Sequence, residues 1–351
     1  MSNEHIYANA LNQSLHIGAV GLEKIKKYFG SFENGWKASL NELKKITGAH
    51  KLTEFRNNID PKKEFETLEK EGVKILLKEE FPEKLREVFT SPEILYIKGN
   101  LPKESTIHLT IVGPRKFSNY GKEACERIIS DLKDHNIVIV SGLALGIDAI
   151  AHRSALENKM QTIAVLGNGL SDQAMYPQAN LKLSKEIVAQ NGCLVSEYAM
   201  NMKAAQFTFP QRNRIAAGLS QGTLVIEAAE RSGSLITAFL ALENNREVFA
   251  IPGEIFGINS KGTNNLLKIG ALPVTEAGDI LKAFGIDIDE EKEITNLTIE
   301  EKRIISVLYE PLNRDELIRK LKMSPVEINP QLIQMEIKGI IKEINGKIYK
   351  I

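Results

Sequence analysis

The chain is 351 residues long, enough for two or three domains around one large core. Charged residues make up 26% of it, and Lys+Arg balances Asp+Glu at 45 each. A formal net charge of zero excludes a diffusely basic surface, so a polyanion site has to be a local cluster of cations.

Residues 1–60 read as a small helical domain. Ile17-Gly18-Ala19-Val20-Gly21 precedes the amphipathic stretch Leu22–Phe29, and Asn41–Ile46 leads into Thr47-Gly48. Paired short helices with glycine breaks suggest a helix-hairpin-helix or SAM-like bundle. The glycines lack the tight Gly-x-Gly spacing that offers backbone N–H groups to a phosphate, so their reading is structural. Residues 61–104 form a connecting region that opens an extended core over 61–285. Within it Val73–Leu76 and Ile94–Ile97 look like strands flanking Phe81–Leu85.

From residue 106 the pattern strand, glycine loop, helix repeats. Apolar runs at Ile107–Val112, Ile137–Val140, Thr162–Leu166, Cys193–Ser196, Thr223–Ile226 and Glu247–Ile251 alternate with helices such as Glu123–Leu132 and Leu183–Ala189. Continuous apolar strands separated by helices mean a mainly parallel sheet covered on both faces. The expected class is α/β, a Rossmann-like doubly wound sheet with ligands outside the carboxyl ends of its strands. Residues 286–296 are an acidic linker. Beyond it, 297–351 carries helical segments near 299–308, 314–322 and 326–339, with Pro330 interrupting the third or delaying its start. Asn345-Gly346 between alternating apolar residues signals a terminal hairpin. Three helices and a hairpin are the plan of a winged helix.

Four strand-end loops carry the chemistry. Gly113-Pro114-Arg115 allows close backbone approach, and a helix starting near Asn119 or Tyr120 offers free N–H groups beside the Arg115 guanidinium. Ser141-Gly142-Leu143-Ala144-Leu145-Gly146-Ile147-Asp148 runs straight into a helix and reads as a phosphate cradle. Asp148, in the first turn, complements the helix dipole and supports the site by orienting a cation such as an arginine. In Phe209-Pro210-Gln211-Arg212-Asn213-Arg214 the arginines at i and i+2 point to different sides of a helix, one to the ligand and one to a carboxylate within the fold. Which is which stays open. Glu230-Arg231-Ser232-Gly233-Ser234 is another glycine–serine loop opening a helix, and Lys261 adds a cation beside Gly262.

Absences narrow the choice. There is no Gly-x4-Gly-Lys-Ser/Thr loop for Walker-type NTP hydrolysis, and Gly167-Asn168-Gly169 lacks the third glycine of a dinucleotide site. His5, His16, His50, His108, His135 and His152 show no metal-ligand pairing, and His152 reads as a packed or capping residue. Cys125 and Cys193 sit in apolar segments as structural thiols. No apolar run reaches the roughly 18 residues that span a membrane, and Met1–His5 lacks the pattern of a secretory signal. With no Ser-His-Asp set, the expectation is a cytoplasmic binding protein and not an enzyme, with no catalytic residue, cofactor, metal or membrane contact.

These strings, in this order, resemble the DprA/Smf family of DNA-processing proteins. The pieces are Gly113-x-Arg115, Ser141-Gly142-x3-Gly146-x-Asp148, Tyr176-Pro177-x2-Asn180, Ser196-Glu197-Tyr198, Phe209-Pro210-x-Arg212-Asn213-Arg214, Ser232–Thr237 and Val248–Gly253. The resemblance implies binding of single-stranded DNA without strong sequence preference, in natural transformation and recombination. It also implies help in loading the RecA recombinase and a homodimer formed through the Rossmann-like core. By this resemblance Arg115 belongs to the DNA pocket, with the Ser141–Gly146 loop and Arg212–Arg214 around it. Together with the other loops, the expected DNA-binding set is Gly113, Arg115, Ser141, Gly142, Gly146, Asn180, Lys182, Arg212, Asn213, Arg214, Arg231, Ser232, Gly233, Ser234 and Lys261. Lys182 enters because many relatives place a lysine after Tyr-Pro, where this chain has Gln178. Tyr176, Phe207 and Phe209 are stacking candidates. The third C-terminal helix offers Gln331, Gln334 and Lys338 but no arginine, which favours protein contact over groove reading.

Two other classes compete. Lysine-decarboxylase-like phosphoribohydrolases share a Rossmann-like core and a Gly-Gly-x-Gly-Thr-x2-Glu loop, which Gly222-Thr223-x3-Glu227 echoes in part, without the preceding double glycine. The other is a winged-helix transcription regulator with a ligand-sensing core.

Overall fold

The computed structural model describes residues 2–14, 17–47, 52–286, 298–344 and 346–350. Gly48, Asn345, His16, His50 and the acidic linker from residue 287 onward lie outside them. The described chain falls into two compact units, Met1–Phe284 and Gly285–Ile351.

The first unit is built on one nine-stranded sheet. Its strands are β1 (Val73–Leu77), β2 (Ile94–Gly99), β3 (Ile107–Val112), β4 (Ile137–Ser141), β5 (Thr162–Val165), β6 (Cys193–Ser196), β7 (Gly222–Val225), β8 (Glu247–Ala250) and β9 (Leu272–Pro273). They lie in the order β1-β2-β6-β5-β4-β3-β7-β8-β9. The chain starts the parallel part at β3, winds outward through β4, β5 and β6, then returns to the other side of β3 for β7, β8 and β9. The direction of winding therefore reverses between β3 and β7, the kind of place where ligands gather in such sheets.

Strands β4 to β7 are buried at every position, as expected for strands covered on both faces. On one face Val138, Val140, Ile163, Val165 and Val195 pack with Ile215, Ala216 and Leu219 of the helix Thr208–Leu219. On the other side of β3, Val112, Val225, Val248 and Ala250 pack with Ala238, Ala241 and Leu266. Each fully buried Val, Leu or Ile contributes about 1.5–3 kcal/mol.

The region read as a connection supplies two sheet strands. β1 pairs antiparallel with β2, and β2 pairs antiparallel with β6. Six short helices precede or flank them, from Asn3–Asn12 to Pro61–Lys70. Their apolar residues (Leu11, Leu22, Ile25, Phe32, Trp36, Leu43) share one cluster with Val73, Ile75, Leu77 and Tyr96. The Tyr96 hydroxyl donates to Asn9 Oδ1 at 2.9 Å and accepts from Asn12 Nδ2 at 3.2 Å, so this buried phenol is satisfied.

The second unit has helices Ile299–Val307, Arg314–Leu321 and Pro325–Ile337, then the antiparallel pair β10 (Ile341–Ile344) and β11 (Lys347–Lys350). Its own core holds Ile304, Leu317, Ile328, Leu332, Met335 and Ile348. Pro330 neither interrupts the third helix nor delays its start, because the helix runs through it from Pro325. The proline leaves the Val326 carbonyl without its helical donor. Val326 is 83% exposed, so water can serve that carbonyl.

Candidate functional site

The carboxyl ends of β3, β4 and β5 meet in a small pocket lined by Arg115, Gly142, Ala144, Leu145, Tyr176, Pro177 and Phe209. Two glycines allow its upper wall to close. A Cβ on Gly146, whose φ is +87°, would lie 2.4 Å from the Pro114 carbonyl oxygen. One on Gly113 would lie 2.6–2.9 Å from Ile147 side-chain atoms. The Gly113-Pro114-Arg115 turn is thereby pressed onto the start of the helix Ile147–Glu157, and the Ile147 N–H donates to Pro114 O at 3.3 Å. Arg115 itself is exposed. Its guanidinium carbon lies 5.9 Å from the centroid of the Phe209 ring, and Tyr176, 48% exposed, stands 5.7 Å from that ring at 48°. A solvent-facing cation thus sits beside a partly open aromatic pair.

The pocket floor is polar underneath. Arg212 is 6% exposed, and its Nη1 donates to the Val165 carbonyl at the end of β5. Asp148 is 7% exposed and accepts from Ala144 N at 3.4 Å. Burial pushes the Asp148 carboxyl up, with the Arg212 cation pulling the other way, and burial lowers Arg212 in turn. Asn180 donates to the carbonyls of Leu143 and Ala144 at 2.9 and 3.2 Å, and Ser141 Oγ donates to Ile111 O at 2.7 Å.

With the fold and pocket in view, likeness to known proteins is informative. Residues 73–285, more than half of the chain, match the family model of DNA recombination-mediator protein A. The chain belongs to that family. It is 36% identical to protein Smf of Escherichia coli K12 over 277 residues, covering 76% of this chain and 74% of the relative. DNA processing protein DprA of Streptococcus pneumoniae R6 is 43% identical over 204 residues, 58% of this chain and 71% of the relative. Among solved structures, S. pneumoniae DprA superposes with a TM-score of 0.67 at 35% identity, covering 80% of this chain and 98% of that one. DprA of Helicobacter pylori, in a structure concerned with its single-stranded DNA binding mode, gives 0.54 at 30% identity, covering 60% and 95%.

In this DprA-family chain the residues singled out from sequence divide into those gathered at the pocket and those that do not line it. Arg115, Gly113, Gly142, Gly146, Asn180, Ser141, Asp148 and Arg212 come together at the pocket. Of these only Arg115 is an exposed cation. Ser141 and Asn180 turn their side chains inward as struts. Arg212 acts on Asp148 electrostatically.

Three expectations are met only in part. Of the Arg212/Arg214 pair, one does hold a carboxylate within the fold, but neither points outward. Arg212 lies under the floor, and Arg214, 12% exposed, is paired with Glu197 at 2.6 Å. The loop 142–146 is partly filled from within, because Asp148 takes the Ala144 N–H at 3.4 Å. The start of the helix Asn119–Asp131 is partly occupied from within, with Ser118 Oγ accepting from Gly121 N at 3.0 Å. Glu227 covers its start, accepting from Ser118 N at 3.0 Å and from Ser118 Oγ at 2.5 Å.

The remaining residues do not line the pocket. Arg231, Ser232, Gly233 and Ser234 open the helix Gly233–Glu243 after β7, with the Ser232 side chain accepting from Ser234 N. Lys261 is exposed at the start of the helix Lys261–Lys268, which is tied to the segment after β7 by Ala228 N to Asn259 O and Gly262 N to Ala228 O. Asn213 is half-buried, and Lys182, with a 90% exposed side chain, lies 3.6 Å from Glu186. Leu145 and Pro177 were not singled out from sequence, since neither carries a polar group that would draw attention.

Proposed function

We propose that this protein binds single-stranded DNA without strong sequence preference and assists loading of the RecA recombinase, in natural transformation and recombination. The observation that carries the reading is Arg115 beside the Tyr176–Phe209 pair. A cation can take a backbone phosphate while an aromatic face stacks a base of any identity. Membership of the DprA family and the likeness to H. pylori DprA support the same ligand. A gel-shift comparison of single-stranded and duplex DNA, with and without Arg115→Ala, tests it. Preferential retention of single strands, lost in the variant, is the expected result.

The phosphoribohydrolase reading has less support, because the acid it needs, Glu227, is engaged in covering a helix start. The protein is read as a binding protein without turnover. No described helix is long and apolar enough to cross a membrane, which fits a cytoplasmic place.

A homodimer through the core is supported by an exposed apolar patch. Ile236, Phe239 and Leu242 of the helix Gly233–Glu243 are 42–46% exposed, and the sheet ends nearby in β9, where Ile269 and Leu272 are 62% and 38% exposed. Such a patch beside an open strand edge favours association. The second unit is read as a winged helix in a protein-contact role. The outward face of its third helix carries Val326, Ile333 and Ile337, 83%, 53% and 82% exposed, and no arginine. The N-terminal helices are read as a SAM-like bundle.

A further inference from the structure

We propose that Arg212 is a positioning residue that never meets the DNA, bracing the pocket floor by tying the ends of β4 and β5 to the helix that carries Phe209. The inference rests on the single-stranded DNA reading of the pocket.

A methyl group on Gly142 would lie 1.8 Å from Arg212 Nη1 and 2.3 Å from Cζ and Nη2, so the guanidinium fills the space that a side chain there would take. The same group donates to Val165 O at the end of β5, and its charge acts on the buried Asp148. Asp148 in turn holds the Ala144 N–H of the pocket loop. One guanidinium therefore bonds the end of β5 and packs closely against the loop that follows β4. Phe209 is three residues before Arg212, on the same side of the helix Thr208–Leu219. Bracing the floor thus also sets the aromatic wall below Arg115. Arg214 pairs with Glu197 at 2.6 Å, and Arg212 and Asp148 act on each other electrostatically. Among the described residues Arg115 is then the one cation lining the pocket.

The test combines oligonucleotide binding over a salt series with thermal unfolding, on the full chain carrying G142A, R212M, D148N or R212M/D148N. G142A keeps every charge and only displaces the guanidinium. Expected is a several-fold weaker affinity in G142A, R212M and the double variant, at the parent's slope of log K against log salt. The double variant should recover stability that R212M loses, since no buried charge is left unpaired. A slope flattened by about 0.7 in the double variant would make Arg212 a phosphate contact and overturn the proposal. Affinity that returns with stability, or a G142A protein that binds like the parent, overturns it too. If the unmodified chain retains no oligonucleotide, the functional reading fails instead. The brace is then contradicted separately by additive effects of R212M and D148N on unfolding.

Discussion

Glu227 and Ser118 are joined twice, through the backbone N–H at 3.0 Å and the hydroxyl at 2.5 Å, across 109 positions of sequence. The carboxylate lies so close over the first turn of Asn119–Asp131 that a Cβ on Gly121 would come within 2.5 Å of it. The protein thus supplies its own anion where a phosphate was expected.

Glu227→Ala should cost about 1 kcal/mol through the lost helix-start contacts, read as a lower denaturant midpoint. Oligonucleotide affinity should stay at or above the parent's, because a carboxylate next to the cationic turn is removed. A marked loss of affinity with an unchanged midpoint would mean that Glu227 serves the ligand directly.

Arg214 and Glu197 form an ion pair in which both side chains are nearly covered, at 12% and 7% exposure. Removing one partner leaves the other buried and unpaired, so Arg214→Ala should cost about 3 kcal/mol or more. Replacing both by apolar residues should cost less than the sum of the single changes. Equilibrium unfolding of the two single variants and the double variant checks this, and additivity would contradict it.

His152 is fully buried, and burial together with nearby Arg212 and Arg153 pulls its pKa down to about 3. Thr162 Oγ1 donates to Ile139 O, so its lone pair accepts from His152 Nδ1–H at 2.7 Å and the ring is neutral. The unfolded chain takes up a proton below the ordinary histidine value near 6.5, whereas the folded chain does not until about 3. Stability should therefore be complete above pH 6.5 and fall with acidification through that window. This one group contributes up to about 1.4 kcal/mol per pH unit. Unfolding measured from pH 7 to pH 4 should show a shallower fall in His152→Gln, and an identical fall would contradict the assignment.

Much of the α/β core was legible because parallel strands covered on both faces are continuous apolar runs, as in Ile137–Ser141 and Thr162–Val165. β1 and β2 were visible as strands, but not as members of the main sheet, since β2 joins it by pairing with β6 about a hundred positions away. The contact of Glu227 with Ser118 escaped for the same reason. Arg212 was misplaced because arginine is a surface residue by default. A local signal was present: Arg212, Ile215, Ala216 and Leu219 follow helical spacing on one stripe, and all four are buried. An arginine on an apolar stripe next to an early-helix aspartate elsewhere is a candidate buried pair.

In the proposed binding mode Arg115 takes a phosphate of a single strand from beside the Tyr176–Phe209 pair. The most direct test of this mode is the salt dependence of oligonucleotide binding for the parent chain and Arg115→Ala. The variant should bind more weakly, with the slope of log K against log salt flattened by about 0.7 and thermal stability unchanged. A folded Arg115→Ala protein with the parent's affinity and slope would contradict the account.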